Sequence, residues 1–166
     1  NRKQMLDRLM KTAHRSPGDL TFEIGSNSDL VLENSISGNL EWTIENFAGS
    51  KKGFITFPTK FDMVETLLPL NHGGRTIMRM SVNPQPIIQR LEFGTSSLTA
   101  RIRALEQMHA AGYKVGILIA PVVLLDNWQE LYSQLIEQLA DELPDKLKEE
   151  LFIEIIFMTY SYIHRA

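Results

Sequence analysis

Short apolar segments typical of β-strands alternate along the chain with longer segments whose apolar residues recur at helical spacing. The clearest strand is 114–120, Lys-Val-Gly-Ile-Leu-Ile-Ala, which is almost wholly apolar, as expected for a strand covered on both faces. Parallel strands need a crossover connection, usually a helix, and the alternation supplies one between successive strands. The alternation therefore predicts an α/β fold built around a parallel sheet.

The predicted elements follow the order α-β-α-β-α-β-α-α-β-α-α-β. Strands are expected at 20–24, 53–57, 75–82, 114–120 and 151–158. Helices are expected at 2–13, 38–48, 62–67, 84–92, 98–111 and 126–141, with a short one from Pro144. At 166 residues the chain has the length of a single domain, 1–166. Because the chain opens on a helix, we expect a first strand upstream of it, which would bring the sheet to six strands.

The predicted strand at 75–82 has one apolar and one polar face, since its side chains alternate between the two faces. The polar face contains Arg79 and Ser81 and fits the inside of a barrel or half-barrel. An isolated buried charge is very costly, so Arg79 needs a carboxylate partner. Glu23 and Glu154, in the middle of two other predicted strands, are the expected partners.

The composition excludes several kinds of site. The chain contains no cysteine, so disulfides, thiolate metal sites and cysteine nucleophiles are excluded within these residues. Its four histidines are dispersed without metal-ligand spacing, and no metal site is predicted in this chain. The net charge of -3 gives no whole-chain argument for nucleic acid or an anionic membrane. No apolar run approaches the roughly 18 residues of a transmembrane helix, so no membrane partner is expected.

Small polar clusters follow three of the predicted strands, at 25–29, 58–60 and 81–84. The carboxyl ends of parallel strands share one rim of a sheet or barrel, and binding sites are built at that rim. Each cluster alone has another interpretation: residues 25–29 are typical of a strand-to-helix loop and Lys60 of a solvated loop lysine. Ser81 and Asn83 are typical of a helix N-cap, and Asn83 before Pro84 fits a cap well. Their recurrence at successive strand ends favours a common site.

The residue types in these clusters suit a small ligand that carries both charges. Asp29 and Ser28 could receive an ammonium group, and Lys60 and Ser81 a carboxylate, through charge-assisted hydrogen bonds. The Asn83 amide, with a donor and an acceptor, could bind a diol. An amino acid joined to a ribose would satisfy all five residues, and S-adenosylmethionine is such a molecule.

Four separated blocks of the sequence, 22–29, 57–61, 79–84 and 119–121, resemble the spore photoproduct lyase family in order and spacing. The resemblance extends from about residue 20 to residue 165. Members of this family are radical S-adenosylmethionine enzymes that repair a UV-induced thymine dimer in DNA. The resemblance implies a partial TIM barrel of the (β/α)6 type, of which this chain is the central and C-terminal part without the first strand.

The resemblance implies the same ligand contacts for the five rim residues and adds Ala120, at a position near the adenine. It also implies a 4Fe–4S cluster held by a CxxxCxxC motif that lies upstream of this chain, so the chain alone is expected to be inactive. The implied reaction begins with electron transfer from the cluster to the sulfonium. The 5′-deoxyadenosyl radical then takes a hydrogen from the dimer, and the carbon–carbon link between the thymines breaks.

Further expectations follow from the same resemblance. UV-damaged DNA is the expected partner, together with an electron donor such as flavodoxin or ferredoxin. A cytoplasmic location is expected because no export signal is visible and the implied cluster is sensitive to oxygen.

Ser26 departs from the family, which has a cysteine at this position whose thiol returns a hydrogen atom to the product radical. A serine O–H bond is much stronger than a thiol S–H bond, so Ser26 cannot readily replace that cysteine. Two alternatives stay open at this point: a paralogous radical enzyme with another substrate, and a non-catalytic barrel that binds a nucleoside-like ligand. A CxxxCxxC motif shortly upstream in the full gene would remove the second alternative.

Overall fold

Five parallel strands form one sheet in the computed structural model, which describes residues 1–157. The strands are β1 Thr21–Glu23, β2 Phe54–Thr59, β3 Thr76–Val82, β4 Lys114–Ile119 and β5 Phe152–Ile155. They lie side by side in chain order, and each of the four pairings is parallel. The sheet curls into a half-barrel, which confirms the predicted α/β fold and the partial barrel. The predicted end of the last strand, at residue 158, lies outside the described residues.

Helices precede β1, connect the strands other than β2 and β3, and cover one face of the sheet. They are α1 Arg2–Arg15, α2 Leu30–Ser37, α3 Asn39–Phe47, α4 Gln85–Leu91, α5 Leu98–Ala110, α6 Trp128–Glu142 and α7 Asp145–Glu150. The helix predicted at 62–67 is wrong, because this segment forms successive tight turns, with Leu67 N donating to Val64 O at 2.8 Å. The prediction also missed α2, in which valine, serine and asparagine are weak helix formers. The helix is stabilised instead at its ends, by Asp29 and by Gly38 in the left-handed conformation.

The hydrophobic core lies between the helices and the outer face of the sheet. Phe57 on β2 and Met78 and Met80 on β3 are fully buried, together with Phe47 of α3 and Leu105 of α5. Burial of each such side chain contributes roughly 1.5–3 kcal/mol. The apolar face predicted for β3 is therefore confirmed as the face that packs against helices.

The inner face of the half-barrel is bridged by Arg79, at the middle of the central strand. Its Nη1 donates to Glu154 Oε2 at 3.0 Å, and its Nη2 pairs with Glu23. These glutamates lie on β5 and β1, two strands away on either side, so one guanidinium reaches both of the outermost strands. Both predicted partners of Arg79 are confirmed, and the contacts require the sheet to curve.

Within residues 1–157, no helix combines the length and the apolar character needed to cross a membrane.

Candidate functional site

Asp29 and Lys60 meet at the rim formed by the carboxyl ends of the strands. Asp29 begins α2, and its Oδ1 accepts from Val31 N at 3.1 Å. Its Oδ2 accepts from the backbone N of Lys60 at 2.8 Å, and the Thr59 hydroxyl donates to the same carboxylate at 2.9 Å. The carboxylate thus joins the start of α2 to the end of β2. The predicted convergence of Asp29 and Lys60 is confirmed, and Asp29 has a capping role that the sequence analysis did not predict.

The Lys60 side chain extends from this junction to a carboxylate that the sequence analysis missed. Lys60 Nζ lies 2.6 Å from Glu92 Oε1, and 32% of the lysine side chain is exposed, against 6% of Glu92. Glu92 Oε1 also accepts from Asn83 Nδ2 at 2.8 Å. Arg101 Nη2 lies 2.7 Å from the other carboxylate oxygen, Oε2. Glu92 is therefore the centre of a cluster that joins β2, β3 and α5.

Arg101 is the fully buried cation of this cluster. Its Nη1 donates to the carbonyl oxygen of Ser81 at 2.9 Å, and its Nε donates to the carbonyl oxygen of Ser96 at 2.9 Å. Arg101 lies on the apolar stripe of α5, three residues after Leu98 and four before Leu105. A cation on an apolar helix face needs a buried carboxylate, and this was the one sequence signal that could have pointed to Glu92.

Asn83 lies at the end of β3 with its amide held from both sides. Its Nδ2 donates to Glu92, and its Oδ1 accepts from the Tyr132 hydroxyl at 2.9 Å. The Tyr132 oxygen in turn accepts from Val123 N at 2.8 Å. Helix α4 has Pro84 as its N-cap residue and no side-chain cap, so the interpretation of Asn83 as a helix cap is wrong. Asn83 is fully buried in this arrangement.

Ser81 presents a different environment, because its hydroxyl is buried with no hydrogen-bond partner among the residues that the structure describes. A buried hydroxyl without a partner costs free energy unless something else supplies the hydrogen bond. Ser81 lies one residue before the end of β3, beside the cluster that contains Lys60 and Asn83. Its hydroxyl is thus a buried polar group without a partner beside this cluster.

The three remaining predicted site residues lie in loops at the same rim. Ser26 and Ser28 are exposed in the turn between β1 and α2, which is closed by Ser28 N donating to Gly25 O at 3.2 Å. Ala120 follows β4 directly, is half-buried and precedes a cis peptide bond to Pro121. Within 1–157 no hydrogen bond joins the side chains of Ser26 or Ser28 to Lys60, Ser81 or Asn83. The fold brings these loops to one rim without linking them through their side chains.

Charge at the rim is balanced between two cations, Lys60 and Arg101, and two carboxylates, Asp29 and Glu92. Burial acts to raise the pKa of Glu92, but hydrogen bonds from Lys60, Asn83 and Arg101 outweigh it, so the pKa lies below its ordinary value of 4.5. Burial also raises the pKa of the Tyr132 phenol, while the hydrogen bond from Val123 acts in the opposite direction. Glu92 is thus held ionised.

The lowered pKa of Glu92 predicts a loss of stability in acid. Because the pKa is lower in the folded protein than in the unfolded chain, this stabilisation is complete above about pH 4.5 and is lost as the pH falls through the folded-state value. We expect urea unfolding between about pH 5 and pH 3 to show a smaller decrease in stability for Glu92→Gln than for the wild type. Glu137→Gln, on the exposed face of α6, is the matched control and should follow the wild type. Equal decreases in the stability of all three proteins would contradict a lowered pKa for Glu92.

No side chains group as metal ligands within the described part of the chain, and the sequence has no cysteine. A thiolate-ligated iron–sulfur cluster does not fit these residues and would need ligands from outside them.

Comparison with known proteins gives one consistent result. A family model described as spore photoproduct lyase matches residues 2–165. The spore photoproduct lyase of Bacillus subtilis (strain 168) is 37% identical over 129 residues, which cover 78% of this chain and 37% of that protein. The corresponding protein of Geobacillus sp. (strain Y412MC61) is 36% identical over 121 residues, which cover 73% of this chain and 36% of that protein.

Solved structures agree with the sequence relatives. A spore photoproduct lyase complexed with dinucleoside spore photoproduct superposes with a TM-score of 0.91 at 30% identity, covering 98% of this chain and 48% of that chain. A variant with bound AdoMet and dinucleoside spore photoproduct gives the same values. The chain spans a little over a third of the length of the curated relatives, and about half that of the solved chains.

Proposed function

Because the chain belongs to the spore photoproduct lyase family, we propose that it is the central and C-terminal part of a radical S-adenosylmethionine barrel. We propose that the whole protein repairs a UV-induced thymine dimer in DNA. One observation carries the proposal beyond family membership. The rim brings a carboxylate, an ammonium group and a buried unpaired hydroxyl together at the ends of neighbouring parallel strands. This set suits a ligand with both an ammonium and a carboxylate.

The residues at the rim fit the amino-acid part of S-adenosylmethionine. We assign the ligand carboxylate to Lys60 and Ser81, because the lysine ammonium has three N–H donors and the structure gives it one partner, Glu92. The unpaired Ser81 hydroxyl would gain the hydrogen bond that it lacks. Asp29 and Ser28 are assigned to the ligand ammonium. This assignment places each ligand charge against a group of opposite sign.

The nucleoside part is assigned to two further residues. Asn83 is assigned to the ribose, because its amide has one N–H and one lone pair beyond the contacts to Glu92 and Tyr132. Ala120 is assigned to the adenine, at the end of β4. The proposed set therefore spans the ends of β2, β3 and β4, the turn after β1 and the start of α2.

If bound beside a reduced 4Fe–4S cluster held by the rest of the protein, S-adenosylmethionine would supply a radical able to take a hydrogen atom from the substrate. The part of the chain described here contributes binding and orientation of the cofactor at the rim. We further propose that the whole protein is a carbon–carbon lyase, that it receives electrons from a flavodoxin or ferredoxin, and that it works in the cytoplasm.

A second candidate is a paralogous radical enzyme that acts on another substrate, and Ser26 favours it. The test uses the full-length protein with reconstituted cluster, S-adenosylmethionine, a reductant and synthetic dinucleoside spore photoproduct. Thymine release together with 5′-deoxyadenosine is the expected result. Formation of 5′-deoxyadenosine without loss of the dinucleoside would overturn the lyase assignment in favour of the paralogue. A protein that binds no S-adenosylmethionine would overturn both.

Ser26 provides a prediction within the same assay. A thiol donates a hydrogen atom far more readily than a hydroxyl, so Ser26→Cys is expected to raise the yield of released thymine at least about tenfold, equivalent to about 1.4 kcal/mol in barrier height. Ser35→Cys, on the exposed face of α2, is the matched control and should leave the yield at the wild-type level. An unchanged yield for Ser26→Cys would show that hydrogen return does not pass through this position.

A further inference from the structure

Glu92 lies behind two of the side chains assigned to the cofactor and touches both of them. One oxygen, Oε1, accepts from Lys60 Nζ at 2.6 Å and from Asn83 Nδ2 at 2.8 Å. The other oxygen faces Arg101, which is fully buried and bonded to the carbonyl oxygen of Ser81. The Glu92 side chain is only 6% exposed, so with Asn83 and Arg101 it forms a buried wall behind the open rim.

The two cations of this cluster differ in their access to solvent. Glu92 faces both of them, and Asp29 supplies the second carboxylate of the rim. Arg101 is sealed from solvent, whereas about a third of the Lys60 side chain is exposed. Lys60 is therefore the cation that an anionic group from solvent can reach.

The same carboxylate fixes the direction of the Asn83 amide. An amide can rotate by half a turn and exchange its donor with its acceptor, unless its neighbours forbid the exchange. Here Glu92 can only accept, and the Tyr132 hydroxyl, which already accepts from Val123 N, donates to the amide oxygen. A rotated amide would place its oxygen against the carboxylate. The amide is thus held in one orientation.

We propose that Glu92 is a positioning residue for S-adenosylmethionine, which aims the Lys60 ammonium at the ligand carboxylate and holds the Asn83 amide in the orientation that the ribose requires. The proposal rests on the function proposed above. A long lysine side chain is costly to order at the moment of binding, and anchoring it beforehand lowers that cost. A glutamate that merely competed with the ligand for Lys60 would instead weaken the binding of S-adenosylmethionine.

The test measures affinity in the full-length protein by isothermal titration calorimetry, with S-adenosylmethionine as the probe. Glu92→Gln is expected to weaken binding about tenfold or more, the scale of one hydrogen bond to a charged group. Glu150→Gln is the matched control, because this glutamate pairs with His109 beside the start of β4, at the opposite end of the strands. The control should bind as the wild type does.

A double-mutant cycle separates positioning from a general structural effect. If Glu92 acts through Lys60, Glu92→Gln should weaken binding clearly less in a Lys60→Ala background than in the wild type. If Glu92 only supports the fold, the two effects should multiply independently. A second probe, 5′-methylthioadenosine, lacks the ligand carboxylate, so the part of the loss that passes through Lys60 should disappear with it.

Removal of the Glu92 charge could destabilise the fold around it, so the thermal stability of each variant is measured by circular dichroism alongside each titration. Glu92→Asp keeps a counter-charge for Arg101 while withdrawing the carboxylate by one methylene, and it is expected to fold and still bind weakly. Wild-type affinity in either folded variant, tighter binding, or independent effects in the cycle would overturn the proposal. A wild-type protein that fails to bind S-adenosylmethionine would instead overturn the proposed function.

Discussion

Replacement of Arg101 by methionine is expected to lower the free energy of unfolding by about 3–5 kcal/mol, the usual cost of removing one partner of a buried ion pair. The guanidinium is fully buried and lies 2.7 Å from Glu92. It also satisfies the carbonyl oxygens of Ser81 and Ser96. Methionine fills much of the same space but donates no hydrogen bond, so the Glu92 carboxylate and two carbonyl oxygens would each lose one donor.

Urea unfolding followed by circular dichroism measures this effect. Arg103→Met is the matched control, since Arg103 lies two residues further along α5 and is exposed. The control should change the stability by no more than about 0.5 kcal/mol, as is usual for surface substitutions. A loss below about 1 kcal/mol in Arg101→Met would show that Arg101 does not support the rim as described.

Lys60→Ala is expected to weaken the binding of S-adenosylmethionine by roughly 1.5–3 kcal/mol, the scale of a hydrogen bond to a charged group. The ammonium carries the charge assigned to the ligand carboxylate, and alanine leaves that carboxylate without a cation. The stability of the free protein should fall much less, because Glu92 keeps Asn83 and Arg101 as partners. Calorimetry with the full-length protein gives the binding free energy directly.

Lys52→Ala is the matched control for Lys60→Ala. The two lysines lie before and after the same strand, β2, and Lys52 Nζ donates to the carbonyl oxygen of Ser16 at 3.0 Å. Lys52 is therefore at the opposite end of the sheet from the rim. An equal loss of affinity in both variants would indicate a general charge effect, and an unchanged affinity in Lys60→Ala would show that Lys60 does not meet the ligand.

Features governed by local periodicity could be predicted from the sequence. The five strands were placed to within a few residues because each is a short segment, rich in apolar residues, between helices or turns. The meeting of Asp29 with Lys60 followed from topology alone, since parallel strands end at a common edge. The partners of Arg79 were predictable because charges in the middle of strands on one inner face have few other partners.

Features governed by tertiary contacts could not be predicted in the same way. Helix α2 contains weak helix formers and depends on its two ends, so its apolar pattern gave no clear period. Glu92 follows a short helix in a stretch without any motif, and its importance comes from Lys60, Asn83 and Arg101, which are distant in sequence. The capping interpretation of Asn83 failed because a local preference was overridden by the buried contacts to Glu92 and Tyr132.

The bridge made by Arg79 has a consequence for the mouth of the half-barrel. Arg79 on the central strand forms ion pairs with Glu23 and Glu154 on the two outermost strands. The sheet therefore cannot flatten without separating these ion pairs. The glutamates at the margins are each 45% exposed, so dissolved ions reach and weaken these ties. The aperture of the mouth should accordingly widen as the ionic strength rises.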